Sequence, residues 1–198
     1  MAVVTLPTTP RPASIAWEQT DFGGVQQSSL GGTAQRVNRM GNRWKAAITL
    51  PPMEATDANT WAAALSKGLR LGVAFQVTQP GVTIGSPGTP LVFGASQAGY
   101  DLDIDGLVPG YQIGVGRWLS VTTGGQRYLY QAAAAATAGA SGRATVEIEP
   151  MIRVSPADNS PVDLVTPHIE GLLEVPQGWQ IDTDWLVRGF AFAISETR

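Results

Sequence analysis

The chain has 198 residues, 43% of them hydrophobic and only 15% charged, against about 25% charged in an ordinary soluble domain. Its net charge of −3 and pI near 5.1 supply no basic field, which argues against nucleic-acid wrapping. The absence of cysteine removes disulfides, thiolate metal sites and thiol catalysis together. A surface so short of charge points to cover by neighbouring chains, the alternative being a low-charge monomer. The length suits one generous domain, or a domain carrying a smaller inserted one. The opening MAVVTLPTTPRP lacks a basic region followed by a long apolar run, so no secretory signal is expected. No stretch of eighteen apolar residues predicts a membrane span. The 23 glycines and 14 prolines favour many short strands joined by turns.

In chain order, Thr8 to Pro12 reads as an extended arm, loosely held unless a partner captures it. Ile15 to Trp17 is a candidate first strand. Val25 to Leu30, bracketed by glycine pairs, looks like one arm of a hairpin, and Arg36 and Arg39 are expected to face outward. Gly41-Asn42 turns the chain into the most informative stretch, Arg43 to Leu69. There Trp44, Ala46, Ile48 and Leu50 alternate against Arg43, Lys45, Ala47 and Thr49, as a strand with one greasy face requires. Pro51-Pro52 cannot continue the ladder. Thr56 or Asp57 then suits the start of a helix of about twelve residues. In it Ala58, Trp61, Leu65 and Leu69 share a face, with Gly68 as a left-handed cap. So short a helix is marginal alone and is expected to lie on a sheet with Trp61 inward.

Leu71 to Val77 reads as a buried strand. Residues 79–99 are dense in turn formers, with Val82–Ile84 and Leu91–Phe93 as short strands, and a loop this long is usually functional or part of an inserted unit. Tyr100 to Leu107 alternates Leu102 and Ile104 against three aspartates. Arg117–Val121 and Arg127–Gln131 flank Gly124-Gly125 as a hairpin. The alanines at 132–136 are read as strand then loop, because glycines follow at once. Arg143 to Glu149 alternates as a half-exposed strand. Val162–Leu164, Ile169–Val175 and Leu186–Ser195 close the chain, the last with large residues on one side and small on the other, read as covered on both faces.

Few residues offer chemistry. Asp101, Asp103, Asp105 and Gly106 spell the opening of a calcium loop, the weak candidates for a metal site. Pro109 and Gln112 occupy the positions where that loop needs ligands and no helix is expected on either side, so an edge strand with its acids in water is preferred. His168 is the lone histidine, with no nucleophile motif near it. Glu147 and Glu149 share a strand face, as acids on solvated strands commonly do. No cofactor fingerprint is present, and no enzyme is expected. The six tryptophans, Trp17, Trp44, Trp61, Trp118, Trp179 and Trp185, are read mostly as core or subunit contacts, with one or two facing a partner.

The run RWKAAITLPPMEATDANTWAAALSKGLRLGVAFQV, followed by RWLSV, RYLYQ and GRATVEIEPMIR, resembles the distal tail (hub-ring) proteins of long-tailed, siphovirus-like bacteriophages and the minor tail proteins related to them. Gly142, Ala144, Val146, Ile148, Pro150, Ile152 and Arg153 match that family's late strand motif, whereas Gly116-Arg117 departs from the usual Gly-Asp. The resemblance covers about residues 40–155. It implies a mainly β fold, a tail-tube-like β-sandwich with one helix formed by 1–78 plus 151–198. Many members insert a small β-barrel or galectin-like domain, which would correspond here to 79–150. It also implies a homo-oligomeric ring, usually hexameric, assembled in the host cytoplasm and located in the virion. Its partners would be the tail tube protein, the tape measure protein and other tail-tip or baseplate proteins, with DNA passing the lumen unread. The competing expectation is a carbohydrate-binding β-sandwich that contacts the host receptor, since sandwich folds serve both roles.

Overall fold

The computed structural model describes residues 3–29, 31–174 and 178–197. Among the described residues the fold is mainly β with a single helix. Its first part runs β1 (Val4–Thr5), β2 (Ser14–Thr20), β3 (Gly24–Gln26), β4 (Gln35–Val37), β5 (Arg43–Thr49), α1 (Ala55–Leu71) and β6 (Val73–Gln76). The middle part contains β7 (Gly88–Val92), β8 (Asp101–Leu107), β9 (Gln112–Ile113), β10 (Trp118–Thr123), β11 (Gln126–Ala132), β12 (Ala136–Thr137), β13 (Ala144–Glu149) and β14 (Val162–Asp163). The last part is β15 (His168–Glu174), β16 (Gln180–Ile181), β17 (Val187–Arg188) and β18 (Ala191–Glu196).

Two six-stranded sheets organise these elements. The first has the order β1-β6-β15-β18-β5-β2 and so joins the two ends of the chain. The second, β14-β10-β11-β13-β8-β7, is nearly a closed barrel. Its ends approach through a bridge between Leu91 and Pro161, and the Val92 N–H donates to the Ser160 carbonyl at 2.9 Å. The short pairs β3–β4, β9–β12 and β16–β17 stand outside these sheets. The barrel's apolar core runs from Val92 to Leu164 and includes Ile152 and Val162, past the expected boundary at 150. That boundary rests on the resemblance alone. The closing segment near Pro161 has no alternation to reveal it.

Helix α1 spans 17 residues, longer than the sequence suggested, and buries Ala58, Trp61, Leu65 and Gly68. Leu69 is exposed instead. The N-cap is Glu54, without a side-chain cap, so Thr56 and Asp57 fall within the first turn. The cap glycine is Gly72, at φ 82°, whose N–H donates to the Gly68 carbonyl at 2.8 Å. Gly68 is glycine for another reason: a Cβ there would overlap Val73 Cγ1, so its absence lets the helix lie close on β6.

One face of the first sheet carries Trp44, Ala46 and Ile48 on β5 beside Phe192, Ile194 and Glu196 on β18. The helix covers this face around Phe192, with Trp61 and Phe192 ring centroids 5.9 Å apart. The barrel covers it around Trp44, which meets Trp118 of β10 at 4.8 Å. The opposite face, with Ala47 and Thr49 exposed and Ala191 and Ala193 half-buried, is open. The expectation that both faces of the last strand are covered is therefore corrected: small side chains there lie against solvent. Leu186–Ser195 is also not one strand, because Gly189, at φ 91°, separates β17 from β18.

The N-terminal segment is tied in more firmly than expected. Val4–Thr5 pairs in parallel with β6, Leu6 is 2% exposed in the core, and the Thr9 carbonyl accepts the Trp61 indole N–H at 3.0 Å. The glycine hairpin reads as expected: Gly124 and Gly125, both at positive φ, make the two-residue turn between β10 and β11. Of the other expectations, Leu30 and Val175 lie outside the described residues.

Candidate functional site

The most built-up polar arrangement in the molecule joins the sheet to the barrel. Period-two alternation places Glu196 inward after Phe190, Phe192 and Ile194. Its carboxylate accepts the Trp44 N–H and the Leu129 N–H, each at 2.9 Å. β13 pairs with β11 only at Gln131 and Ala132, so this carboxylate stands where a strand carbonyl would otherwise satisfy Leu129. The Arg153 guanidinium lies 2.8 Å from Glu196 Oε1, with the two side chains 4% and 1% exposed. Burial pushes the Glu196 carboxyl above its ordinary pKa, opposed by Arg153 and the two amide donors. Nearby, the Tyr130 hydroxyl is pushed up to about 12 by burial. A second link pairs Arg127 with the buried Glu170 at 3.2 Å, and Trp17, Trp44 and Trp118 pack together at the same junction. Both charges of the Glu196–Arg153 pair are consumed by structure. This clasp fixes two bodies together.

The residues with chemical promise are dispersed. Asp101, Asp103 and Asp105 alternate along β8, which lies between β13 and β7 and is not an edge strand. A straight strand spaces same-side residues by about 6.5–7 Å, so the three carboxylates stand in a row instead of converging. Asp103 accepts the Thr145 hydroxyl, and its N–H donates to the Gln97 amide oxygen at 2.8 Å. Among the described residues no group of three His, Asp or Glu could hold a metal. Millimolar calcium should accordingly leave the melting temperature unmoved; a rise with calcium but not magnesium would mean that the strand rearranges into a binding loop. His168 is half-buried and its pKa is lowered, first by burial and then by Arg127. Ser120 Oγ accepts the backbone N–H of His168 at 3.2 Å, whereas Nδ1 of the ring has no partner. That geometry is not a nucleophile–base pair. Glu147 is exposed and Glu149 half-buried on the outer side of β13.

Besides the open sheet face, three further surfaces stand out among the described residues. One is a groove of about 490 Å³ between the β3–β4 hairpin and the barrel, lined by Gln19, Asp21, Arg36, Asn42, Tyr100 and Glu149 among others. A second, of about 750 Å³, runs between the N-terminal segment and the residues after β6. The third is the tip of the β16–β17 hairpin, where Trp185 is 81% exposed beside Ile181. Of the six tryptophans, Trp61 is core, Trp17, Trp44 and Trp118 form the junction, and Trp179 and Trp185 reach the surface. Sequence alternation could have flagged Glu196, which continues the inward register of the last strand; its partner Arg153 was visible only as a motif residue. Compared with models of known protein families and with curated proteins, the chain matches neither.

Proposed function

We propose that this chain is a structural virion protein, a subunit of the ring that connects the tail tube of a bacteriophage to its tail tip or baseplate. The observation that carries the reading is where the family-like segments fall. RWKAAITLPPM and the helix after it form β5, paired on both sides in the first sheet, the proline corner and α1. GRATVEIEPMIR forms β13 and leads to Arg153, the cation of the buried clasp. These are framework positions, as a load-transmitting ring subunit needs, with the barrel as the inserted unit. Low charge, an open small-residue sheet face and an apolar hairpin tip supply surface for neighbours. The partners on this reading are further copies of the chain, six in the usual ring, together with the tail tube, tape measure and tail-tip proteins.

Electron microscopy and sedimentation of the purified protein test it. Closed rings are expected, with more than roughly 2,000 Å² buried per contact, as in permanent complexes. A chain that stays monomeric at high concentration, alone and with tail proteins, would reject the reading. A carbohydrate-binding role has one observation in its favour, the groove beside Tyr100, whose lining side chains named above all carry hydrogen-bonding groups. Monomers that give a glycan-array signal, lost in Tyr100→Ala, would favour that reading instead.

A further inference from the structure

We propose that the groove beside the N-terminal segment is a strand-addition site, where an extended acidic segment of another chain pairs with the free outer edge of β6. The proposal goes beyond the ring reading and holds whether or not copies of this chain close into a ring.

Past its first residues β6 is paired on one side only. The Val77 N–H donates to the Pro167 carbonyl at 2.7 Å, continuing the antiparallel ladder with β15. On the other side β1 supplies two residues, Val4 opposite Val73 and Thr5 opposite Ala74. One more bond follows, from the Leu6 N–H to the Ala74 carbonyl at 2.9 Å. Pro7 then has no N–H to give. The Thr9 carbonyl goes instead to the Trp61 indole at 3.0 Å, which ties the segment to the helix. Backbone groups along a strand point alternately to its two sides. Because Val77 bonds toward β15, Gln76 presents its N–H and C=O to the side that β1 has left. Among the described residues no backbone bond closes this stretch of edge. Such an edge accepts a further strand.

The groove of about 750 Å³ lies there, with Gln76, Thr78 and Gln79 lining one side and Thr8, Thr9 and Arg11 the other. Its size is that of a ligand cleft. Phe75 and Val77 reach it but are each only 2% exposed, so the walls offer hydroxyls, amides and main chain instead of an apolar pocket. That character suits recognition through the backbone. Charge then selects the occupant. Arg11 is the one charged residue of the lining, and among the described residues it has no ion-pair partner. Arg117, 3% exposed, lies behind the wall. Its Nη2 donates to the Leu164 carbonyl at 3.3 Å, the oxygen that also accepts Gln79 Nε2 at 3.5 Å. Its Nε has no partner, and its guanidinium rests over the Tyr111 ring. Two cations without carboxylates, beside an open strand edge, favour acids on the incoming segment. An extended chain sends alternate side chains the same way, so acids two residues apart face Arg11 together.

The test uses the intact chain and an array of capped seven-residue peptides with Asp or Glu at alternate positions and the other positions varied. Arrays with Lys or Leu in place of the acids are the controls. Acidic peptides should bind at least about tenfold more tightly than their Lys or Leu counterparts, and rising salt should weaken them. A strand pairs here along one edge, so N-methylation of one alternate set of amides in the best binder should cost at least about tenfold more than methylation of the other set. Saturating peptide should slow amide exchange at Gln76. Arg11→Glu should remove the preference for acids while melting stays as in the parent chain, since Arg11 is exposed. Absence of binding, equal binding of the control arrays, equal effects of the two methylation sets, or unaltered exchange at Gln76 would each overturn the proposal. None of these outcomes bears on ring formation, which sedimentation reads separately.

Discussion

Replacing Glu196 with alanine is expected to cost about 3–5 kcal/mol of stability, read from urea midpoints, because it strands a buried arginine. The pair is almost wholly dry, at 4% and 1% exposure, and Arg153 has no other hydrogen-bond partner for its buried nitrogens. Loss of the carboxylate also leaves the Trp44 and Leu129 N–H groups unpaired. Arg153→Met should destabilise too, through the carboxylate it leaves uncompensated. The double variant should cost clearly less than the two singles together, since removing both charges abolishes the unpaired-ion penalty. Strict additivity would show that the two side chains do not interact. The junction tryptophans give a local readout: Trp44 and Trp118 pack beside the clasp, so emission should shift to the red if the barrel loosens from the sheet. Glu196→Gln is the milder test, because an amide can accept one of the two N–H donors and only repel the other.

How much of this was legible beforehand depends on the range of the forces involved. The alternation of β5, the proline corner, the inward placement of Ala58, Trp61 and Leu65 on α1 and the Gly124-Gly125 hairpin are local patterns, and they stand in the structure as read. What sequence misjudged was set by distant neighbours. Gly68 looks like a cap until Val73 is seen pressed against it. Asp101, Asp103 and Asp105 read as the outward side of an edge strand until β13 and β7 are seen to pair on either side of it. The last strand looked double-sided because it sets large residues against small. Helix and barrel share its large side, and its small side is left open. β10 and β11 lack a polar face for a related reason: Leu119, Val121, Tyr128 and Tyr130 point into the barrel while Trp118 and Leu129 point into the sheet core. Among candidate site residues, Trp185 was legible only as one of six tryptophans. Its exposure follows from a turn held by Asp182, Asp184 and Arg188, a charge pattern that sequence shows but does not orient.

Trp61→Ala should be as damaging as loss of the clasp, at about 3–5 kcal/mol, the usual range for a deleted core aromatic. Trp61 is 0% exposed and packs on Phe192 of β18, so its removal opens a cavity between helix and sheet. A further loss follows from the indole N–H, which binds the Thr9 carbonyl and pins the N-terminal segment across the helix. Trp61→Phe separates the two effects: it keeps most of the apolar volume but drops the hydrogen bond. It should cost less in melting temperature, yet still free Thr9, raising amide exchange in the segment from Thr8 to Pro12. That segment forms one wall of the groove. Unchanged exchange there would mean that the segment holds its place through Leu6 and β1 alone.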